Sequence, residues 1–431
     1  MYSKYLKSLK WNLFEKIIRL IITFFVTSYI AKSLGPALYG VFSLSQSVVS
    51  ILAVISSFGL DYILNKEFSS GEHKTNEIIG TSLFLRFIGW VVSLFVAIPF
   101  LYFISTPGIY VFVYILMLIP LFQVSSSISI YFTSKGCAQY NFIPNLLSLI
   151  IFSILKILVV YLDGSILSLC MVFSIEQFLL LILLFLQLNK NGVSFKSLKI
   201  SKDIFNKLIK VSWPIAISSA IIILYSRLDQ VMISYFLDSK NVGLYSVAVR
   251  ISDISGFLPS LIVSSFFPIL VKKKRDQTID RNDLLKFFSI IFYSGLITVS
   301  FIYILSNYVV SIFFGEQYSE VINIMPLYLV SLLFSYSGFA VTQWLILEEL
   351  TKYRLYRTIL GLLLNILLNI YFIPIYGIYG ALYSTLISQL FSSYLSNYMS
   401  EKTRYIFYIQ SASLIYPLIF LFTLLKSKYN N

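Results

Sequence analysis

Histidine is all but missing, with His73 the single one in 431 residues. A His-based metal site or catalytic triad therefore has almost no material to build on. Cysteine is nearly as scarce: Cys137 and Cys170 stand far apart with no paired spacing, which removes a disulfide framework and a zinc site and leaves two small apolar residues. Charge is thin as well, at 12% of the chain against 58% hydrophobic residues and a mean hydropathy of +0.84. A soluble domain of this length could not hide so much apolar side chain, so lipid must be the solvent for most of it. Neither a glycine-rich phosphate loop nor a nucleophile signature occurs. That argues against ATP-driven work within this chain, and no catalytic residue, cofactor or metal is assigned.

What is present is a succession of apolar runs, each near the roughly 20 residues that cross a bilayer as a helix. Six lie near residues 11–31, 40–64, 78–103, 109–134, 142–162 and 164–188. Six more follow near 211–237, 241–271, 284–306, 321–347, 355–375 and 377–398. Between the two sets, residues 189–210 carry Lys190, Lys196, Lys199, Lys202, Lys207 and Lys210 against only Asp203, which reads as a solvated linker. The predicted division is an N-lobe over 1–188, a cytoplasmic basic linker over 189–210, a C-lobe over 211–398 and a C-terminal segment over 399–431. That last segment holds a thirteenth apolar run near 405–425, interrupted by Pro417, whose spanning of the membrane is left open, and with it the side on which Lys426 and Lys428 lie. The first run has no small-residue cleavage site and is expected to stay as a helix rather than act as a signal peptide.

The net charge of +14 would suggest nucleic acid in a soluble protein, but here the bases sit in alternate loops. One side receives Lys66 and Lys74, Lys135, the six linker lysines, Lys272 to Arg275, Lys352 and Arg354, and Lys402 and Arg404; the other receives Lys32 and Lys240. By the positive-inside rule this places the N-terminus in the cytoplasm, predicts an inner-membrane protein and removes nucleic acid as a partner. The two sets also match in register. Leu38-Tyr39 repeats as Leu244-Tyr245 at an offset of 206, and Tyr140, Gly164 and Phe178 repeat as Tyr353, Gly377 and Phe391 at 213. Six crossings separate equivalent points, so the repeats are parallel, related by a pseudo-two-fold axis along the membrane normal.

Ionisable groups inside the spans each require a partner, a wet cavity or a function, because one at the bilayer centre costs about 2.5 to 3.5 kcal/mol on insertion scales. The bases are Lys16, Arg19, Arg86, Lys156, Arg227 and Arg250; the acids are Glu15, Asp61, Glu176, Asp229 and Asp253. At 1.5 Å per residue, Arg19 and Arg86 fall about a third of the way in from the cytoplasm, and Lys156, Arg227 and Arg250 in the outer half. Positive charge along the whole crossing suits an anionic cargo such as a diphosphate, and arginine's fork suits it best. Arg19, Arg86, Lys156, Arg227 and Arg250 are thus candidate cargo-binding cations, and Asp61, Glu176, Asp229 and Asp253 candidate ion-coupling groups. The bland reading is internal pairing: Glu15 with Arg19 at i,i+4 and Arg250 with Asp253 at i,i+3 share helix faces, while Lys16 and Asp61 sit near enough to an interface to snorkel. Pro120, Pro144, Pro214, Pro259, Pro268 and Pro326, in or at the ends of spans, fit helices that bend, either as static kinks or as hinges. The cluster Lys272 to Arg275 could also grip anionic lipid headgroups.

Several local patterns then carry a family likeness. They are Leu34-Gly35-Pro36 with Tyr39-Gly40, Phe58-Gly59-Leu60-Asp61, Arg227-Leu228-Asp229-Gln230 and Val242-Gly243-Leu244-Tyr245; later come Asn365, Asn369, Pro374 and Gly377-Ile378-Tyr379-Gly380-Ala381. In this order over residues 1 to about 400 the chain resembles the multidrug/oligosaccharidyl-lipid/polysaccharide exporter superfamily, and within it the Wzx-type polysaccharide flippases. The resemblance implies an all-α polytopic protein with two six-helix lobes about a cationic central cavity, to which this chain adds one extra C-terminal hydrophobic segment. It implies alternating access, suggested ion coupling, and a cargo of a short oligosaccharide on undecaprenyl diphosphate, moved during O-antigen or capsule synthesis. Expected partners are that lipid-linked oligosaccharide, membrane lipids, and the polymerase and glycosyltransferases of the same pathway.

Two rivals stay open. A multidrug antiporter of the same superfamily would bind an organic cation and should favour acidic cavity residues. A membrane polysaccharide polymerase or ligase would place its catalytic groups on a sizeable outer loop, whereas every outer loop here is short. A major-facilitator carrier shares the six-plus-six plan, but its signature is missing from Asn65 to Asn76.

Overall fold

A computed structural model describes residues 2–70, 73–102, 104 and 108–416. The described chain is helical nearly throughout, with no strand, and ten of its helices are long and apolar enough to cross a bilayer. It is an all-α, multi-pass membrane protein. The first such stretch, Lys10–Ser70, covers 61 residues. At 1.5 Å per residue that is about 90 Å, three times the hydrocarbon thickness, so it holds two of the apolar runs. The break between them is Gly35, with φ 74° and ψ 167°, followed by Pro36. Only glycine takes that conformation without strain, and proline gives the next segment a preset first turn. At the other end, the run over 377–398 forms only the 16-residue helix Ile378–Ser393 before a 3-10 turn at Leu395–Tyr398. Eleven of the twelve apolar runs thus lie on the ten long helices, two of them on the first, and the twelfth lies on this shorter helix.

Two compact units divide the chain, Met1–Gly243 and Leu244–Asn431. The first is built from α1 (Tyr2–Ser57, broken at Gly35), α2 (Leu60–Ser70), α3 (Thr75–Tyr102), α4 (Ile109–Leu116), α5 (Leu118–Phe122), α6 (Ser126–Ser134), α7 (Gln139–Tyr161), α8 (Ile166–Lys190), α9 (Lys202–Phe236) and the start of α10 (Ser239–Asp253). The seventh apolar run, α9, therefore packs with the first six, against α1, α2 and α3. Leu60, Leu64, Phe68, Ile79, Phe132, Leu188 and Leu208 form a core that joins α2, α3, α6, α8 and α9.

Lipid as solvent inverts the usual amphipathic pattern. On α7 the buried face carries Asn141, Ser148, Ser153 and Lys156, while Ile143, Leu147, Ile150, Ile154 and Leu158 point outward. Polar groups gather inside because hydrocarbon cannot satisfy them.

The basic linker is shorter than its sequence suggests. α9 begins at Lys202, so only residues 191–201 connect it to α8. They lie on the start of α3: Asn76 Nδ2 donates to Ser197 Oγ at 3.0 Å and Ser201 N to Thr81 Oγ1 at 3.0 Å. The lysines Lys196 and Lys199 stay exposed, as a solvated stretch requires. Just beyond, Lys207 Nζ lies 2.9 Å from a carboxylate oxygen of Glu67, beside His73.

Two residues of the family-like motifs have a steric meaning. A methyl group at Gly40 would come within 1.8 Å of the Ser239 carbonyl oxygen, and one at Gly243 within 2.0 Å of the Pro36 carbonyl oxygen. Backbone thus meets backbone where α1 bends and α10 begins, a contact that small residues alone permit.

The second unit holds the rest of α10, α11 (Phe257–Arg275), α12 (Arg281–Val309), α13 (Glu320–Leu347), α14 (Thr351–Tyr376), α15 (Ile378–Ser393) and α16 (Glu401–Ser413). α16 is the start of the thirteenth apolar run, and it docks through a buried polar network. Gln410 Nε2 donates to Ser337 Oγ at 2.6 Å and to the Ser393 carbonyl at 2.9 Å, and Gln410 Oε1 accepts from Asn397 at 2.9 Å. Pro417, Lys426 and Lys428, on which the question of a thirteenth crossing turned, lie outside the described residues.

Candidate functional site

The first unit contains four of the five cations singled out above, and α1, α3, α7 and α9 each position one. Arg19, on α1, donates to Glu15 one turn earlier at 3.3 Å, and Glu15 in turn accepts from Asn145 of α7 at 2.9 Å. The i,i+4 spacing fixes the first contact, and the packing of α7 on α1 supplies the second.

Arg86, on α3, is almost wholly buried. Its Nε donates to Ser127 Oγ at 3.0 Å and its other fork arm reaches Asp61 at 2.5 Å. The Asp61 side chain remains 67% exposed, so this pair has one dry member and one accessible one. Asp61 thus meets a base across the bundle.

Lys156 and Glu176 form the most enclosed pair. Lys156 Nζ sits 2.5 Å from Glu176 Oε2, joining α7 to α8, with both side chains less than 10% exposed. The ammonium also lies 3.8 Å from the centre of the Phe173 ring, and Ser148 Oγ donates to the Glu176 carbonyl at 3.1 Å. A charge pair this dry persists only when both members have partners.

Arg227 differs from these three. It is half-buried in the second half of α9 and makes no hydrogen bond or ion pair with any described residue. Two residues on, Asp229 is buried, and Gln230 accepts a hydrogen bond from Ser47 of α1. Arg250, half-buried, and Asp253, exposed, lie on α10 within the second unit.

The structure therefore brings three candidate cations together with acids, two of them with candidate coupling groups, and leaves Arg227 apart. Sequence reasoning missed Ser127, Asn145, Phe173 and Ser148, the groups that complete these pairs. Asn145 and Ser148 were signalled by polar residues recurring along α7, Asn145 one turn after Asn141 and Ser148 two turns before Lys156; Phe173 gave no signal. Among the described residues no cluster of metal-ligating side chains occurs. What the arrangement can do chemically is hold paired charge within the bundle and offer an anion the Arg227 guanidinium, which has no counter-charge among the described residues.

Solved structures with the same fold are transporters and a flippase rather than catalysts. An inward-facing multidrug resistance transporter of the MOP superfamily superposes with a TM-score of 0.72 at 13% identity, over 87% of this chain and 92% of its own. The lipid II flippase MurJ in an inward closed conformation gives 0.72 at 16% identity, over 96% and 93%. A MOP superfamily transporter from Pyrococcus furiosus, described as having a binding pocket of reverse polarity, gives 0.56 at 14%, over 93% and 95%. No curated protein sequence matches the chain significantly. A family profile, described as polysaccharide biosynthesis protein, matches residues 5–274. With a match over more than half its length, the chain belongs to the polysaccharide biosynthesis protein family and has the fold of the MOP superfamily transporters.

Proposed function

We propose that the protein is a Wzx-type flippase, which moves an undecaprenyl-diphosphate-linked oligosaccharide from the cytoplasmic to the outer leaflet of the inner membrane for surface polysaccharide synthesis. It works by alternating access between two six-helix lobes related by a pseudo-two-fold, with the N-terminus cytoplasmic. The observation that carries this reading is Arg227. An arginine within the span costs about 2.5 to 3.5 kcal/mol, and no described counter-charge offsets it. A diphosphate arriving there would, through two parallel hydrogen bonds to the guanidinium. Support also comes from the family match and from a neighbour whose own cargo is a lipid.

The multidrug alternative needs an unspent acid for an organic cation. Three of the five acids within the spans, Glu15, Asp61 and Glu176, are each committed to a base, which favours the anionic cargo. Arg250 is assigned the same role as Arg227 on its position in span 8, and a secondary one is assigned to Arg19, which stays partly accessible beside Glu15, and to Arg86, whose partner Asp61 is accessible. Ion coupling, where it operates, falls to Asp61, Asp229 or Asp253 before Glu176, because Glu176 is sealed against Lys156. The pathway's polymerase and glycosyltransferases are the proposed functional partners.

The test is Arg227→Ala and Arg250→Ala in cells that depend on this protein for surface polysaccharide. Both variants should reach the membrane in normal amount and leave the lipid-linked unit on the inner leaflet. Normal surface polysaccharide in both would remove the role given to these arginines.

A further inference from the structure

Between the second half of α1 and α9 runs an apolar groove with a volume of about 270 Å³, lined by Val54, Ile55, Phe58, Trp213, Ile217 and Ala220. The groove is built rather than incidental. Gly59, with φ +66°, brings the α1–α2 junction against α9, where a methyl group would lie 2.6 Å from Ala216 N. Phe58 just before it has φ +52°, a left-handed conformation that bulky residues avoid, and its ring lines the groove.

The strip on α9 continues in one direction. Trp213, Ile217, Ala220, Leu224 and Arg227 recur at three- and four-residue steps and share one helix face. From Ala220 to Arg227 is seven residues, about 10 Å of rise. An apolar trough that ends one pair of turns from a cation without a described partner has the polarity of a molecule with an anionic head and a hydrocarbon tail.

We propose that this groove seats the proximal part of the polyprenyl tail of the cargo, with the diphosphate held at Arg227. The claim rests on the flippase reading for the identity of the head and goes beyond it in assigning the tail to α1 and α9. The tail then keeps contact with protein while its head is on Arg227, instead of trailing in lipid. Gly59 holds the trough open by fixing the approach of the two helices.

The test uses the full-length protein in detergent and three probes: farnesyl diphosphate, farnesol and inorganic diphosphate. Wild type should bind farnesyl diphosphate more tightly than inorganic diphosphate. Ala220→Trp, which fills the trough, should weaken farnesyl diphosphate about tenfold, the worth of burying roughly two methylene groups, and leave inorganic diphosphate unchanged. Arg227→Ala should weaken both diphosphates and spare farnesol. Wild type carrying a diazirine-bearing farnesyl diphosphate should be labelled on peptides containing 54–58 and 213–220, which needs no folded variant.

Labelling confined to other segments, or unchanged farnesyl diphosphate binding in a folded Ala220→Trp, overturns the tail site. Equal displacement of the label by an ordinary phospholipid overturns it too, by making an acyl chain the occupant. Should Arg227→Ala leave every probe unaffected while Ala220→Trp weakens farnesol and farnesyl diphosphate alike, the groove stands and the role of Arg227 in the flippase reading falls.

Discussion

Replacing Glu176 with Gln would strip Lys156 of its counter-charge while keeping nearly the same volume. At 2.5 Å and an effective dielectric of about 20, the attraction lost is on the order of 7 kcal/mol. Part of that is regained because one ion fewer has to be desolvated, and the Phe173 ring still offers the ammonium about 2 kcal/mol. The expected net destabilisation is about 3 to 5 kcal/mol, the usual cost of orphaning one member of a buried pair. Lys156→Met should cost a similar amount by orphaning the carboxylate. The double variant Lys156→Met, Glu176→Leu should recover most of either loss, because two apolar groups of similar size need no compensation. Reversible unfolding in mixed micelles, with Glu176→Leu added as the matching single variant to close a double-mutant cycle with Lys156→Met, reads these differences directly. Additive effects with no recovery in the double variant would refute the pairing. The same set separates a lock from a proton carrier. A double variant that is stable and transports normally leaves Glu176 a structural partner, whereas one that is stable but inactive returns it to ion coupling.

Two other outcomes follow from the geometry. Gly243→Val places branched carbon against the Pro36 carbonyl oxygen, where even a methyl group would sit at 2.0 Å, and should sharply reduce folded protein in the membrane; normal yield and melting behaviour would contradict the close approach. With the N-terminus cytoplasmic, cysteines placed at Lys32 or Lys240 should react with an impermeant reagent from outside and one at Lys274 should not, and the reverse pattern would overturn the orientation.

The all-α, multi-pass character was legible because hydrocarbon admits few alternatives: apolar runs of the right length must be helices. The gap between the first two apolar runs was legible, and the structure puts the break at Gly35-Pro36, where φ and ring constraints act within one residue of their source. The Glu15 to Arg19 contact was legible from i,i+4 spacing. Arg86 with Asp61, 25 residues apart, and Lys156 with Glu176, 20 apart, were not. Each pair joins two helices, and their rotation and relative height follow from packing that no single-helix periodicity encodes. Ordering the cations by depth therefore could not tell which of them are paired with acids. Likewise the short α15 comes from a turn at Tyr394, which ends a run that hydropathy alone would have continued.

The most direct test of the account is transport by the purified protein in liposomes loaded with a fluorescent undecaprenyl-diphosphate-linked oligosaccharide on one leaflet. Wild type should expose the sugar on the opposite leaflet, Arg227→Ala should do so at least about tenfold more slowly, and organic cations should not be carried. Organic-cation uptake with no movement of the lipid-linked sugar would contradict the account and assign the protein to drug antiport.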